Sequence, residues 1–105
     1  MQLMVIESHD GEGRFPTFIK GTSLKKISPC GRYDHWIAVQ IDEYETFVPE
    51  CYILKERLVR NYNPTELVIG ELSIVNLLEI AYEWALVETI RGDKGWLPCY
   101  KLKSI

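Results

Sequence analysis

The chain has 105 residues, which suits one ordinary domain or two minimal ones, and its hydrophobic fraction of 47% indicates folding rather than disorder. Its formal net charge of −3 disfavours nucleic acid as a partner, because binding to phosphates requires a basic surface. The charge is uneven: residues 1–53 carry five Lys or Arg against eight Asp or Glu, whereas residues 54–105 carry seven of each.

The cysteines and the amino terminus predict a cytoplasmic protein. Cys30, Cys51 and Cys99 are odd in number and occupy no matched positions, which favours free thiols in a reducing compartment over a disulfide framework. The apolar run at residues 3–6 is short and lacks a cationic start, so it predicts neither a signal peptide nor a membrane anchor.

Short strands dominate the pattern in the first half of the chain. In order, the sequence predicts an apolar strand at 3–6, a glycine-rich loop at 8–16, an alternating strand at 24–27, a turn at 28–31, a β-prone run at 36–41, a tight turn at 42–43 and a strand at 44–48 that Pro49 ends. Several short strands at close spacing are typical of a small barrel.

The second half repeats this pattern after residues 54–57, the only candidate linker. A strand is expected at 58–62 and a turn at 63–65. Residues 72–87 fit both an amphipathic helix and alternating strands. We favour strand–turn–strand, because the matching segment of the first half holds a turn with a proline that no continuous helix would tolerate.

The chain contains an internal repeat with a period near fifty residues. Residues 18–53 and 67–102 share a glycine, a tryptophan and a proline, in the pairs Gly21 and Gly70, Trp36 and Trp84, and Pro49 and Pro98. A period of this size indicates two units of one architecture, here residues 1–54 and 57–105. Units of about fifty residues bury small cores, so we expect each to depend on the other for stability.

These landmarks resemble SH3 domains in tandem. In the second repeat, Leu58-Val59-Arg60-Asn61-Tyr62 resembles the opening A-L-Y-D-Y strand, Glu66-Leu67 with Gly70-Glu71 resembles the E-L and G-D pair, and Gly95-Trp96-Leu97-Pro98 resembles the closing G-[YW]-x-P motif. In the first repeat, Val5 to His9 is the candidate opening strand. The resemblance implies an all-β fold of two small five-stranded SH3-like barrels, packed against each other.

The same resemblance implies aromatic grooves that bind a peptide or protein surface, since an extended polyproline II ligand loses little entropy on docking. The implied groove residues are Trp36, Phe47, Pro49 and Tyr52 in the first repeat, and Tyr62, Trp84, Trp96 and Pro98 in the second. Arg60, Lys101, Glu7 and His9 stand where the family has tyrosines, and Glu66 alone remains of the acidic run, which resembles bacterial-type SH3 repeats. Alternatively, Trp36 and Trp84 pack between the repeats and bind no ligand.

The sequence predicts no enzyme, cofactor or metal site. His9 and His35 have no evident carboxylate to orient them, and no family signature surrounds any cysteine. The chain contains no Walker loop and no GxGxxG, HExxH or CxxC motif.

The expected partner is therefore a protein or peptide, and not a membrane. Two alternatives remain open at this point: a module of the bacterial SH3 kind that targets peptidoglycan, and an SH3-like barrel that binds nucleic acid.

Overall fold

The computed structural model describes residues 1–11 and 14–105. These residues form an all-β fold, with 53% in strands and no α-helix among them. The all-β prediction is confirmed. The strands belong to several small antiparallel sheets, none of which closes into a barrel within the described residues.

Twelve strands and two single-turn 3-10 helices make up the part of the chain that the structure describes. In chain order the strands are β1 (Gln2–Val5), β2 (His9–Asp10), β3 (Lys25–Pro29), β4 (Trp36–Ile41), β5 (Tyr44–Pro49), β6 (Ile53–Leu54), β7 (Arg57–Leu58), β8 (Val68–Ile69), β9 (Ile74–Ala81), β10 (Trp84–Thr89), β11 (Lys94–Pro98) and β12 (Leu102–Ser104). The 3-10 helices are Glu50–Tyr52 and Cys99–Lys101. The strand–turn–strand prediction for residues 72–87 is confirmed by β9 and β10.

The chain divides into two compact units that do not follow the predicted boundaries 1–54 and 57–105. One unit, here called the continuous unit, is Phe15–Pro64. The other, here called the split unit, combines Met1–Arg14 with Thr65–Ile105. In the sequence, the continuous unit thus lies between the two segments that form the split unit.

The continuous unit contains the sheet β3-β4-β5 and the hairpin β6-β7. Trp36 lies directly opposite Pro49 across β4 and β5, so two landmarks of the repeat form one cross-strand pair. Its buried apolar residues include Phe18, Leu24, Val39, Ile41, Val48 and Leu58.

A two-residue turn joins β6 to β7. Lys55 and Glu56 both have positive φ, 50° and 58°, which is the requirement of a type I′ hairpin turn. Segment 54–57, predicted to be a linker, is therefore a hairpin. A connection of two residues forces β7 to pair with β6, because it leaves no chain with which to reach another sheet.

The other edge of β7 bonds to residues 21–24 of the same unit. The Leu58 N–H donates to the Thr22 carbonyl at 3.0 Å, and the Gly21 N–H donates to the Leu58 carbonyl at 2.8 Å. Strand β7, predicted to open the second repeat, thus completes the unit made from the first.

The split unit contains a five-stranded sheet in the order β11-β10-β9-β1-β12 and the short pair β2-β8. Strand β1 lies between β9 and β12, where the Val5 N–H donates to the Ser73 carbonyl at 2.9 Å and the Leu72 N–H donates to the Val5 carbonyl at 2.7 Å. The core of this unit is formed by Leu3, Val5, Leu67, Val75, Ala85, Val87 and Leu97.

The two units share one strand arrangement. With the bridge between Ser23 and Arg57, the strands of the continuous unit follow the order β5-β4-β3-β7-β6, which matches β11-β10-β9-β1-β12. Each unit also has one extra residue at the same place on its third strand, Ile27 in one and Leu78 in the other. The two units thus share a strand order, and the strand predicted to open the second repeat lies in the continuous unit.

Near the start of each unit, the structurally equivalent residues are not the predicted pair Gly21 and Gly70. The left-handed backbone position occupied by Gly21, with φ of 91°, is occupied in the split unit by Leu72, with φ of 71°. Both residues donate their N–H to the opening strand of their unit. Glycine is required instead at Gly95, where a Cβ would lie 2.7 Å from Cγ of Leu67.

Candidate functional site

Seven of the eight predicted groove residues lie in the same unit as the other members of their predicted groove, and Tyr62 does not. The continuous unit contains Trp36, Phe47, Pro49 and Tyr52, and the split unit contains Trp84, Trp96 and Pro98. Tyr62 lies in the continuous unit and not with Trp84, because after the β6-β7 hairpin its backbone pairs with Phe18 of the same unit.

In the continuous unit the predicted groove residues are packed into the fold. Tyr52 and Tyr62 meet edge to face with ring centroids 5.4 Å apart, and the Tyr62 hydroxyl donates to the Phe47 carbonyl at 2.7 Å. The Arg60 guanidinium covers the Tyr52 ring at 4.4 Å from its centroid. Tyr52, Tyr62 and Trp36 are buried.

Phe47 is the exception in this unit, with 49% of its surface exposed. Its neighbour in the motif, Pro49, is buried. Of its predicted groove residues, the continuous unit therefore exposes the Phe47 ring rather than a groove lined by several.

In the split unit, Trp84 is the accessible member of the predicted set. Trp96 and Pro98 are buried, whereas Trp84 is half-buried at the start of β10 and pairs with Pro98 across the sheet. This arrangement presents part of an indole ring on the surface of a rigid sheet.

His9 and Lys101 occupy the split-unit positions that correspond to Tyr62 and Tyr52. His9 pairs with Ile69 as Tyr62 pairs with Phe18, and Lys101 ends its 3-10 helix as Tyr52 ends the other. A packed pair of tyrosines in one unit is thus replaced by a histidine and a lysine in the other.

These residues form a connected polar cluster beside Trp84, here called the His9 cluster: His9, Glu66, Lys101 and the Ser8 carbonyl. His9 Nε2 lies 2.6 Å from Glu66 Oε1, and His9 Nδ1 lies 3.0 Å from Lys101 Nζ. Lys101 Nζ also donates to the Ser8 carbonyl at 3.0 Å. The His9 ring meets Trp84 edge-on, with centroids 6.0 Å apart.

The partners fix the protonation of the His9 ring. An ammonium group can only donate, so Nδ1 must accept from Lys101 with its lone pair. Nε2 therefore carries the proton and donates it to Glu66. Both ring nitrogens are engaged in these two contacts.

Both histidines have a carboxylate partner, contrary to the expectation from the sequence. Glu66 bonds to His9, and Glu50 Oε2 lies 2.8 Å from Nδ1 of His35. The first pair is 57 residues apart in the chain, so only the β2-β8 pairing brings it together. The His35 pair is largely exposed to solvent.

The three cysteines are free, as the sequence predicts. Burial, and secondarily the negative charge of Glu83, raises the pKa of the Cys99 thiol. A raised pKa keeps this thiol protonated and unreactive at neutral pH.

Within residues 1–11 and 14–105, no group of three or more His, Cys, Asp or Glu side chains could hold a metal ion. The same part of the chain contains no helix with the length and apolar character needed to cross a membrane. No protein-family model matches the chain, and no curated protein or solved structure does so either.

Proposed function

We propose that the chain is a non-catalytic interaction module of two SH3-like units, and that the split unit binds an extended peptide across Trp84. The SH3-like assignment is supported by the motifs in the sequence, by the strand order that both units share, and by the Trp–Pro pairs Trp36–Pro49 and Trp84–Pro98. The barrel form of each unit belongs to this proposal.

The observation that carries the binding site is the exposure of Trp84 beside charged side chains. An indole ring provides a large, rigid contact surface at low entropic cost, and tryptophan dominates the energy of many interfaces. Glu66 bonds to His9 through Oε1, and 34% of its side chain is exposed. A ligand can therefore pack on the ring and pair with a charge next to it.

An extended peptide suits this geometry better than a folded surface. Trp84 lies on a strand and pairs with Pro98, the proline that precedes the second 3-10 helix, and polyproline II segments dock on aromatic surfaces. A polyproline II segment fits such a site because it is already extended and its backbone makes no internal hydrogen bonds.

The continuous unit serves a structural role in this proposal. Its equivalent residues Trp36, Tyr52 and Tyr62 are buried, and Arg60 covers the Tyr52 ring. The proposal therefore places one binding site in each chain, in the split unit.

A peptide array tests the proposal. An array of proline-rich and proline-free extended peptides should yield binders to the wild type, and Trp84→Ala should weaken them by at least about tenfold, the loss typical of a hot-spot tryptophan. Phe47→Ala is the matched control: it removes an exposed aromatic ring from the other unit and should leave binding within about twofold. Amide spectra of both variants would verify that the fold persists.

Equal binding by wild type and Trp84→Ala would contradict the site. Retention of the protein on purified peptidoglycan, with no peptide bound from the array, would favour cell-wall targeting instead. Binding to single-stranded or duplex DNA at low salt that disappears at high salt would favour the nucleic-acid alternative.

A further inference from the structure

We propose that His9 is a positioning residue that holds Lys101 beside Trp84 only while its ring is neutral, so that protonation of His9 releases Lys101. The inference concerns the chain itself and needs no ligand, so it stands or fails separately from the proposed function.

Lys101 donates the hydrogen bond to His9, and His9 accepts it. The 3.0 Å contact joins Nζ to Nδ1, and only the lone pair of a neutral imidazole can accept it. Protonation at Nδ1 removes that lone pair and sets an N–H opposite the ammonium hydrogens. The contact then changes from a hydrogen bond to the approach of two like charges.

Among the described groups that face the His9 ring, only Lys101 opposes the protonation of Nδ1. Glu66 faces Nε2 from the segment before β8, and its bond to His9 survives protonation as an ion pair. Lys101 faces Nδ1 from the second 3-10 helix, and uncharged Trp84 faces the ring edge from β10. On the strand of His9 itself, Glu7 and Asp10 are exposed carboxylates.

His9 therefore stays with Glu66 when it gains a proton, and Lys101 is the group that moves. Its remaining contacts are the bond to the Ser8 carbonyl and the Tyr100 ring, whose centroid lies 5.8 Å from Nζ.

The consequence for the surface beside Trp84 is a change in charge as well as in shape. His9, Glu66 and Lys101 together carry no net charge while the ring is neutral and a charge of about +1 after it is protonated. In the continuous unit the equivalent pair is Tyr52 and Tyr62, which contains neither a histidine nor a lysine. The switch is thus confined to the split unit.

Two substitutions test separately the hydrogen bonds of His9 to Lys101 and to Glu66. In His9→Asn the side-chain oxygen takes the place of Nδ1 and can accept from Lys101, whereas in His9→Gln the side-chain nitrogen takes the place of Nε2 and can donate to Glu66. Neither residue titrates. The asparagine variant should keep Lys101 in place at every pH, and the glutamine variant should have lost it already at pH 8.

The experiment is a pH titration of the full chain by NMR, without ligand. At pH 8 the nitrogen shifts of His9 should show a protonated Nε2 and a bare Nδ1, with contacts between the Lys101 ε-protons and the His9 ring. At pH 5 these contacts should fall by more than about half, and the Trp84 indole signal should shift in parallel with the His9 ring signals. His35→Gln should leave this shift unchanged.

Three results would overturn the proposal. These are a proton on Nδ1 of His9 at pH 8, Lys101 contacts that persist while the His9 ring is protonated, and a His9 ring that stays neutral until the protein unfolds. A Trp84 shift of the same size in His9→Asn would also contradict it, because that variant has no titrating group at this position.

Discussion

Single residues distinguish equivalent positions of the two units. At the same backbone positions, Tyr52 and Tyr62 complete the core of the continuous unit, whereas Lys101 and His9 place charge beside the accessible Trp84. Trp84 and the unusual residues at the tyrosine positions could be identified from the sequence. The partnership of His9 with Glu66 could not, because it depends on a strand pairing between residues 57 positions apart.

Cys99 allows a prediction about pH at this scale. Burial and the charge of Glu83 raise its pKa above the ordinary 9.0, so the folded chain binds the thiol proton more tightly than the unfolded chain. The stability from this group is present below the unfolded pKa and lost as pH rises through the folded one. We expect iodoacetamide at pH 7.5 to modify the exposed Cys51 first and Cys99 last, as measured by peptide mass spectrometry.

Glu83→Gln should speed the modification of Cys99 and leave that of Cys51 unchanged, since the substitution removes the charge and keeps the shape. Equal rates for the two thiols in the wild type would contradict the assigned environment of Cys99.

At the scale of elements, local patterns predicted the strands well and one connection poorly. The runs at 36–41 and 44–48 and the strand–turn–strand at 72–87 depend on alternation and turn residues close together in the chain, and all are observed. The hairpin turn Lys55-Glu56 was not recognisable, because its residues are not the glycine or asparagine that positive φ favours.

The strain in this turn gives a prediction. A non-glycine residue in the left-handed region costs about 1 kcal/mol or more. Replacing Lys55-Glu56 by Asn-Gly should therefore raise the free energy of unfolding of the chain by about 1 kcal/mol, measured by urea denaturation. Glu43→Gly is the matched control in the two-residue turn between β4 and β5: Asp42 has a φ of 53° there but Glu43 has no positive φ, so the substitution should give no gain. A loss of stability in the Asn-Gly variant would argue against the type I′ turn.

At the scale of the whole molecule, the exchange of opening strands is the main feature that the sequence did not reveal. The repeat itself was predicted, and the structure shows its Trp–Pro landmarks paired across strands in both units. The partner of an opening strand is a long-range choice, and β1 and β7 are both short strands with a buried leucine. The two-residue turn decides this choice, because it makes β7 pair with β6. The split unit then contains β1 in the corresponding place.

The most direct test of this account is a measurement of cross-strand contacts between backbone protons in the intact protein. We expect contacts between Met4 and Lys103 and between Ile53 and Leu58. The pair Trp36 and Pro49, which any arrangement of the opening strands retains, provides the positive control. Contacts of Met4 with residues 53–54, together with contacts of Leu58 with residues 102–104, would show that each opening strand stays with its own repeat and would contradict the exchange.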